Sequence, residues 1–579
     1  MEAKKEIRDG MRIDWDVPVP MDDGIVLRAD IFRPTAEGRY PVILSYGPYA
    51  KGLAFQDGYA DQWRLMVAAH PDVARGSSNR YANWETVDPE KWVPDGYACV
   101  RVDSRGAGRS PGFLDPFSPR EARDLYECVE WAAAQPWSTG KVGVNGISYY
   151  AMNAWHVAGL QPPHLAAICV WEGAADFYRD ATHHGGILST FFRHWYDKQV
   201  TVVQHGAGGP RSAVTGEPVT GPETRTEAVL ESARARFGEQ IAAHPLDGEF
   251  YAGRSARWER ITVPLLTAAN WGGQGLHTRG NFDGFTRAAS AHKWLEVHGL
   301  EHWTHFYTDY GVGLQKRFFA CFLHGDDAGW RDQPAVQLQV RALDGFTERA
   351  EREWPLARTR WTRLYLRPDR SELGPAPPGA SGVSYRADSA GVTFTAPPVA
   401  DETEITGPVA ARLFVSSSVP DADLFCVLRV LAPDGSDVTF PGAIDPHTPV
   451  AQGWLRVSRR KLDPARSTEY QPYHAHDEIQ PLVPGEVYQA DVEIWPTSVV
   501  IPAGYRIALT VRGKDWEVRY PGSPRLGSFK NEMTGCGPFL HVDPADRPPE
   551  LTGSTQTLLS GPGRESFLLL PVIPPAGSS

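Results

Sequence analysis

The stretch GVNGISYYA carries a serine, Ser148, behind Gly146 and Ile147 and ahead of two tyrosines. A serine hydroxyl becomes a nucleophile at neutral pH only with a general base beside it. Imidazoles are in supply, since HGLEHWTHFY places His298, His302 and His305 within eight positions. Such a pair performs acyl transfer through a covalent serine intermediate. Gly146 supplies the small residue needed where strand and helix backbones approach, but Tyr150 stands where the nucleophile motif GxSxG has its second glycine. Taken alone, Ser148 is either a nucleophile or a structural turn.

The surrounding elements decide what can be positioned. DGIVLRADIFRP reads as half a hairpin, and PVILSYGPY, YACVRVDSRG and KVGVNGIS as buried strands. Between the last two, PREARDLYECVEWAAAQPW sets Ala122, Leu125, Val129 and Ala132 at helical spacing. Ser148 then opens a second helix, AMNAWHVAGL, and HLAAICVWEG is the next strand. Strand, helix and strand in this order predict a parallel sheet with crossover helices. From about Asp180 to Pro264 amphipathic helix dominates, including TRTEAVLESARARFGEQIAA, as in a cap over an active site. VPLLTAANW and HKWLEVHG return to buried strands, and LQKRFFACFLHG closes the unit as a helix. Beyond about Trp354 only alternating β-runs between Gly, Pro and Asp turns remain, which predicts an all-β sandwich of the jelly-roll type.

At 579 residues the chain exceeds one compact core. The predicted division is a first α/β part over 1–180, a cap over 181–260, a second α/β part over 261–350 and the β-sandwich over 351–579. Hydrophobic residues at 42% and charged residues at 22% fit a globular protein. The net charge of −12 comes without a polybasic run, against nucleic acid or an anionic membrane as partner. No apolar stretch approaches membrane-span length, and the N-terminus lacks a signal-peptide core. The six cysteines lie far apart with no zinc spacing, so free thiols in a reducing cytoplasm and no metal are expected.

PVILSYGPYAKG, GYACVRVDSRGAGRSPG, GKVGVNGISYYA and the late TGPVAARLFVSSSVPDADLFCVL, in that order, resemble the CocE/NonD hydrolases, the group of cocaine esterase, α-amino acid ester hydrolases and X-Pro dipeptidyl peptidases. The resemblance implies an α/β-hydrolase fold, a mostly parallel doubly wound sheet with a helical cap insertion and a C-terminal jelly-roll domain. The family's GxSYxG is matched by Gly146-Ile147-Ser148-Tyr149, with Ala151 at the last position, which implies Ser148 as nucleophile. It further implies an oxyanion hole from the Tyr149 amide and the Tyr49 hydroxyl, two donors contributing ~3 kcal/mol or more each in a dry site. Aligning WLEVHGLEH with the family's WLxLGPWxH puts the catalytic histidine on His302, leaving His298 and His305 structural. Arg105, in DSRGAGRSPG, is expected to hold its loop through backbone carbonyls.

The family's third residue, an aspartate after the strand that here reads PLLTAANW, is missing: Gly273 occupies its place. Functional groups gather at the carboxyl ends of a doubly wound sheet, and Glu172 ends the strand after the nucleophile helix. It is the first candidate acid, Asp176 the second and Asp283 the third, the alternative for Glu172 being a buried pair with an arginine such as Arg179. The expectation is a serine hydrolase of esters or amides working through acyl-Ser148 without cofactor. WGGQGLH has no carboxylate to attract an α-ammonium, and the aromatic and histidine-rich HHGGILSTFFRHWYDKQ suits a bulky, neutral group. An acyltransferase and a non-catalytic binding protein are the alternatives. The substrate-binding residues and any homo-oligomer are left open.

Overall fold

The computed structural model describes residues 4–327, 329–518 and 533–575. Its first sheet contains β1 (Lys4–Arg8), β2 (Met11–Pro20), β3 (Val26–Pro34), β4 (Tyr40–Gly47), β5 (Ala98–Asp103) and β6 (Ser138–Ile147), then β7 (Leu165–Trp171), β8 (Leu265–Asn270), β9 (Lys293–His298), β10 (Val336–Ala342) and β11 (Gly345–Glu351). The order is β1-β2-β3-β5-β4-β6-β7-β8-β9-β10-β11. Every pairing from β5 to β10 is parallel. Antiparallel strands flank this centre on both sides. Because β5 lies on one side of β4 and β6 on the other, the strand order reverses at β4, and a crevice opens at the carboxyl ends of β4 and β6.

Helix α1 (Pro119–Ala133) begins at Ser118, whose hydroxyl accepts the Glu121 amide at 3.2 Å; Ser-Pro-x-Glu is a helix-start signature. Helix α2 (Tyr149–Leu160) is apolar almost all round and buried along all but its last residue, as a helix wedged into a core must be. Trp155, fully buried, packs from α2 on Trp258 with ring centroids 5.2 Å apart.

The amphipathic cap stretch TRTEAVLESARARFGEQIAA forms two short helices, Glu227–Ser232 and Phe237–Ala243. Between them the backbone bonds to Leu114 instead: its amide donates to Ala233 O at 2.9 Å and its carbonyl accepts from Ala235 N at 2.8 Å. A tertiary bridge has overridden local helix preference.

The C-terminal domain is all-β. Its twelve-stranded sheet closes on itself where Thr403–Ser417 pairs with both Tyr488–Ile501 and Phe567–Ile573. Leu413, Leu424, Val492 and Leu568 are among the buried residues of its separate core. Its Phe440–Asp445 turn reaches the first sheet: Ala443 N donates to Gly272 O at 3.0 Å, and Ala443 O accepts from His302 N at 2.8 Å. Among the described residues no helix is long and apolar enough to cross a membrane.

Candidate active site

Ser148 sits on the tight turn between β6 and α2 with φ 55° and ψ −111°, a strained conformation for a residue with a side chain. Its amide donates to the carbonyls of Trp171 and Glu172 at 3.1 Å each. The turn needs space. A Cβ on Gly146 would lie 2.4 Å from Tyr150 Cβ, and one on Gly47 2.6 Å from the Tyr150 ring. The tyrosine in the second-glycine position is thus accommodated by glycines on β6 and β4.

Parallel register sets the rest. Ile147 pairs with Trp171, so Glu172 lies beside Ser148 at the strand tips, and Asn270 pairs with His298 two strands further on. The Glu172 carboxylate is fully buried. Its Oε2 accepts from His302 Nδ1 at 2.9 Å, while Oε1 accepts from His298 Nε2 at 2.9 Å and Asn270 Nδ2 at 3.2 Å. Burial alone would raise its pKa, but the His302 charge and the bonds from His298 and His302 hold it down to about 2. For His302 burial works downward, and Glu172 and Glu85 together lift it to about 10. His298, wedged between Glu296 and Glu172, is lifted to about 9 against its burial. His305 is held down at about 3 by burial and by His298.

The other acid candidates are engaged elsewhere. Asp176 pairs with Arg179 at 2.9 Å, and Asp283, inside helix α3 (Thr278–Arg287), pairs with Arg279 and Arg287. At Gly273 a Cβ would lie 2.9 Å from Thr278 Oγ1 and 3.3 Å from Asn270 O, so this loop has no room for a side chain. Arg105 holds its loop differently from expectation, through the carboxylates of Asp124 at 2.7 Å and Asp23 at 2.8 Å rather than backbone carbonyls. Charged partners satisfy a guanidinium better than carbonyls do.

Two residues that sequence reasoning passed over complete the site. His277, just before α3, has its Nε2 3.1 Å from Ser148 Oγ, and its Nδ1 accepts the Ala174 amide at 3.0 Å. Its ring stacks on His302 with centroids 5.2 Å apart. Because Nδ1 is an acceptor, the neutral ring carries its proton on Nε2 and donates it to Ser148; burial, then the His302 charge, hold its pKa well below the usual value. Glu85 takes the position on His302 Nε2, at 2.9 Å from Oε1. So the imidazole on Ser148 Oγ among the described residues is that of His277, while His302 faces Glu172 and Glu85. The only sequence signals were an acid after tryptophan in YANWETVDPEKW and a histidine four residues beyond Gly273.

Tyr49, after β4, and Tyr149, first in α2, line the same cleft as Ser148. Trp195 Nε1 donates to the Tyr49 hydroxyl at 2.9 Å, which leaves the tyrosine's own proton to point elsewhere. Burial, above all, keeps that hydroxyl protonated. The Tyr149 amide lies in the helix's first turn, where N–H groups lack intrahelical acceptors; its phenol donates to Glu121 at 2.5 Å. Phe117, Phe191, Phe192, Trp195 and Phe539 give the cleft an aromatic lining. Ala443 and Ile444 of the β-domain turn wall one side. The cap histidines do not face the cleft: His184 bonds to His541 at 2.8 Å, and His183 to Thr182 at 3.0 Å. No group of histidines, cysteines and carboxylates suited to a metal occurs among the described residues.

Residues 23–307 match the X-Pro dipeptidyl-peptidase (S15) family, and residues 328–566 match the X-Pro dipeptidyl-peptidase C-terminal non-catalytic domain. Cocaine esterase of Rhodococcus sp. (strain MB1 Bresler) is 25% identical, covering 96% of this chain and 98% of its own. An aminopeptidase from a marine sediment archaeon (Thaumarchaeota) shares the fold, at 16% identity and a TM-score of 0.69 over 99% of this chain and 96% of its own. A CocE/NonD family hydrolase from Staphylococcus aureus superposes with a TM-score of 0.84 at 31% identity, over 99% of this chain and 97% of its own. With a serine at the reversal point of an α/β sheet, a β-domain behind it and such likeness over the full length, this chain belongs to the CocE/NonD family of hydrolases.

Proposed function

We propose that the chain cleaves esters or amides through an acyl-Ser148 intermediate, with His302 as base, Glu172 orienting it, and Tyr49 and the Tyr149 amide binding the oxyanion. The observation that carries this reading is the Glu172–His302 bond at 2.9 Å beside a strained Ser148. His277 cannot receive a proton on the nitrogen that faces Ser148, because its Nδ1 is taken by Ala174. Its role is to hold Oγ by donation. His302, whose Nδ1–H is committed to Glu172, keeps Nε2 as its working nitrogen; catalytic contacts of this kind often close only when substrate is bound.

The aromatic cleft supports a bulky or aromatic acyl or alcohol group. No free α-ammonium is expected in the substrate, since the loop from Trp271 to His277 carries no carboxylate. Six unpaired cysteines fit a reducing cytoplasm. The test is a panel of aryl esters and anilides of graded acyl size, run beside a fluorophosphonate probe. Labelling confined to Ser148 and turnover of bulky aryl substrates are expected, and an unlabelled serine would sink the proposal. Addition of alcohols or amines to the assay reports whether water or another acceptor takes the acyl group.

Tyr49→Phe is expected to lower kcat roughly 10²-fold with little change in KM, because the lost donor acts on the developing oxyanion. Steady-state kinetics check it. An unchanged kcat would make Tyr49 a packing residue.

A further inference from the structure

Three residues of the site share a backbone that side chains rarely adopt: Ser148 at φ 55°, Glu172 at φ 48° and Glu85 at φ 61°. Strain of this kind persists where the surroundings enforce it, and it concentrates at functional positions. Glu85 is tied to the nucleophile turn by its carbonyl, which accepts the Ile147 amide at 3.0 Å. Its side chain, 2% exposed, borders the same cleft as Ser148. One carboxylate oxygen holds His302 Nε2; the other, Oε2, is buried without a hydrogen-bond partner. Leaving a buried carboxylate oxygen unsatisfied is costly, and the Trp84 indole beside Glu85, itself without a well-formed hydrogen bond, offsets that cost only in part.

We propose that Glu85 is the proton-sharing partner of His302, taking the Nε2 proton so that His302 can act as base on Ser148. This deepens the serine-hydrolase reading and rests on it. In the resting site the proton lies between His302 Nε2 and Glu85 Oε1. Its transfer breaks the N–H bond, forms an O–H bond on Glu85 that donates back to Nε2, and leaves the net charge of the pair unchanged; the Nε2 lone pair is freed for Ser148 when that O–H turns away. His302 then receives the Ser148 hydroxyl proton as Oγ bonds to the acyl carbon, and returns it to the leaving group when the tetrahedral adduct collapses. Deacylation repeats the sequence with water, and Glu85 keeps its proton until the cycle closes.

The surroundings fit an acceptor working near neutrality. Burial raises the Glu85 carboxyl to about 7, partly offset by the hydrogen bond and charge of His302, while the Glu172 charge adds to the rise and the Trp84 indole works against it. Tyr49, Tyr59, Tyr150 and Tyr307 face Glu85 electrostatically, each itself pushed well above the usual tyrosine range by burial first. They stay neutral through the working range. The sign follows: below about 7 Glu85 is protonated while His302 remains protonated, so no acceptor is left and the rate falls with falling pH.

The experiment is the pH profile of kcat/KM for an aryl ester, measured on wild type, Glu85→Gln and Glu85→Asp. Wild type is expected to lose activity as pH falls through about 7. Glu85→Gln should shift that limb by about one pH unit or more, and Glu85→Asp should restore its shape. A Glu85→Gln profile that superimposes on wild type after scaling, whatever its height, would overturn the proposal. Fluorophosphonate labelling of Ser148 in each variant, read beside near-ultraviolet circular dichroism, separates a folding loss from a catalytic one. Failure of wild type itself to label would instead overturn the serine-hydrolase reading.

Discussion

Ser148→Ala is expected to abolish hydrolysis of every substrate the wild type turns over, with the thermal midpoint close to that of wild type. The hydroxyl's only hydrogen-bond partner among the described residues is His277 Nε2, so its removal leaves one imidazole N–H facing an open cleft rather than a severed network. Alanine also suits the site sterically, since the Cβ is already present. Its cost lies in chemistry, because the oxyanion donors and the cleft remain while the atom that forms the acyl bond is gone; a residual ~10³–10⁴-fold acceleration over water is the most that binding and oxyanion stabilisation supply in serine enzymes. Active-site titration of the wild type with an aryl ester, followed by the same assay on Ser148→Ala, measures this. Turnover by the variant above that residue would remove Ser148 from the mechanism.

The sheet was legible because its signals are local. PVILSYG, YACVRVD and KVGVNGI are apolar runs of strand length, and they form β4, β5 and β6. The place of Glu172 followed from topology alone: a residue ending the strand next to the one that leads into Ser148 must lie beside it in a parallel sheet, and the Ile147–Trp171 register puts it there. Glu85 and His277 were not legible for the converse reason. Neither ends a strand: Glu85 follows Trp84 in a loop where an acid is ordinarily solvated, and His277 precedes a helix that begins within a glycine-rich turn. Their places beside His302 and Ser148 come from contacts across 217 and 129 positions of sequence. The vacant acid position has a similar origin, since the side-chain space at Gly273 is filled by Thr278 and the Asn270 carbonyl, and only the fold shows it.

The second large effect separates the two imidazoles. Glu172→Gln is expected to lower kcat by ~10⁴-fold, as amide replacement of the orienting acid does when it leaves His in the wrong tautomer. Glu172 accepts from three donors, on His298, His302 and Asn270. A glutamine there has one acceptor oxygen and must turn its NH2 either toward His298 and Asn270, leaving His302 a neutral amide oxygen in place of the charge, or toward His302, which then presents Nδ1 as acceptor and carries its proton on the wrong nitrogen. The Glu172 charge, which with Glu85 lifts His302 to about 10 and with Glu296 lifts His298 to about 9, disappears with it. His302→Gln should match that loss. His277→Gln keeps an N–H donor that can face Ser148 Oγ and a carbonyl that can accept from Ala174, and should cost no more than ~10²-fold if His277 only positions the hydroxyl. Single-turnover acylation rates, with thermal midpoints as a control on folding, rank the three variants. Were His277→Gln the dead enzyme and His302→Gln the active one, the proton would travel through His277, and the Glu172–His302 pair would be a buried ion pair holding two strand tips together.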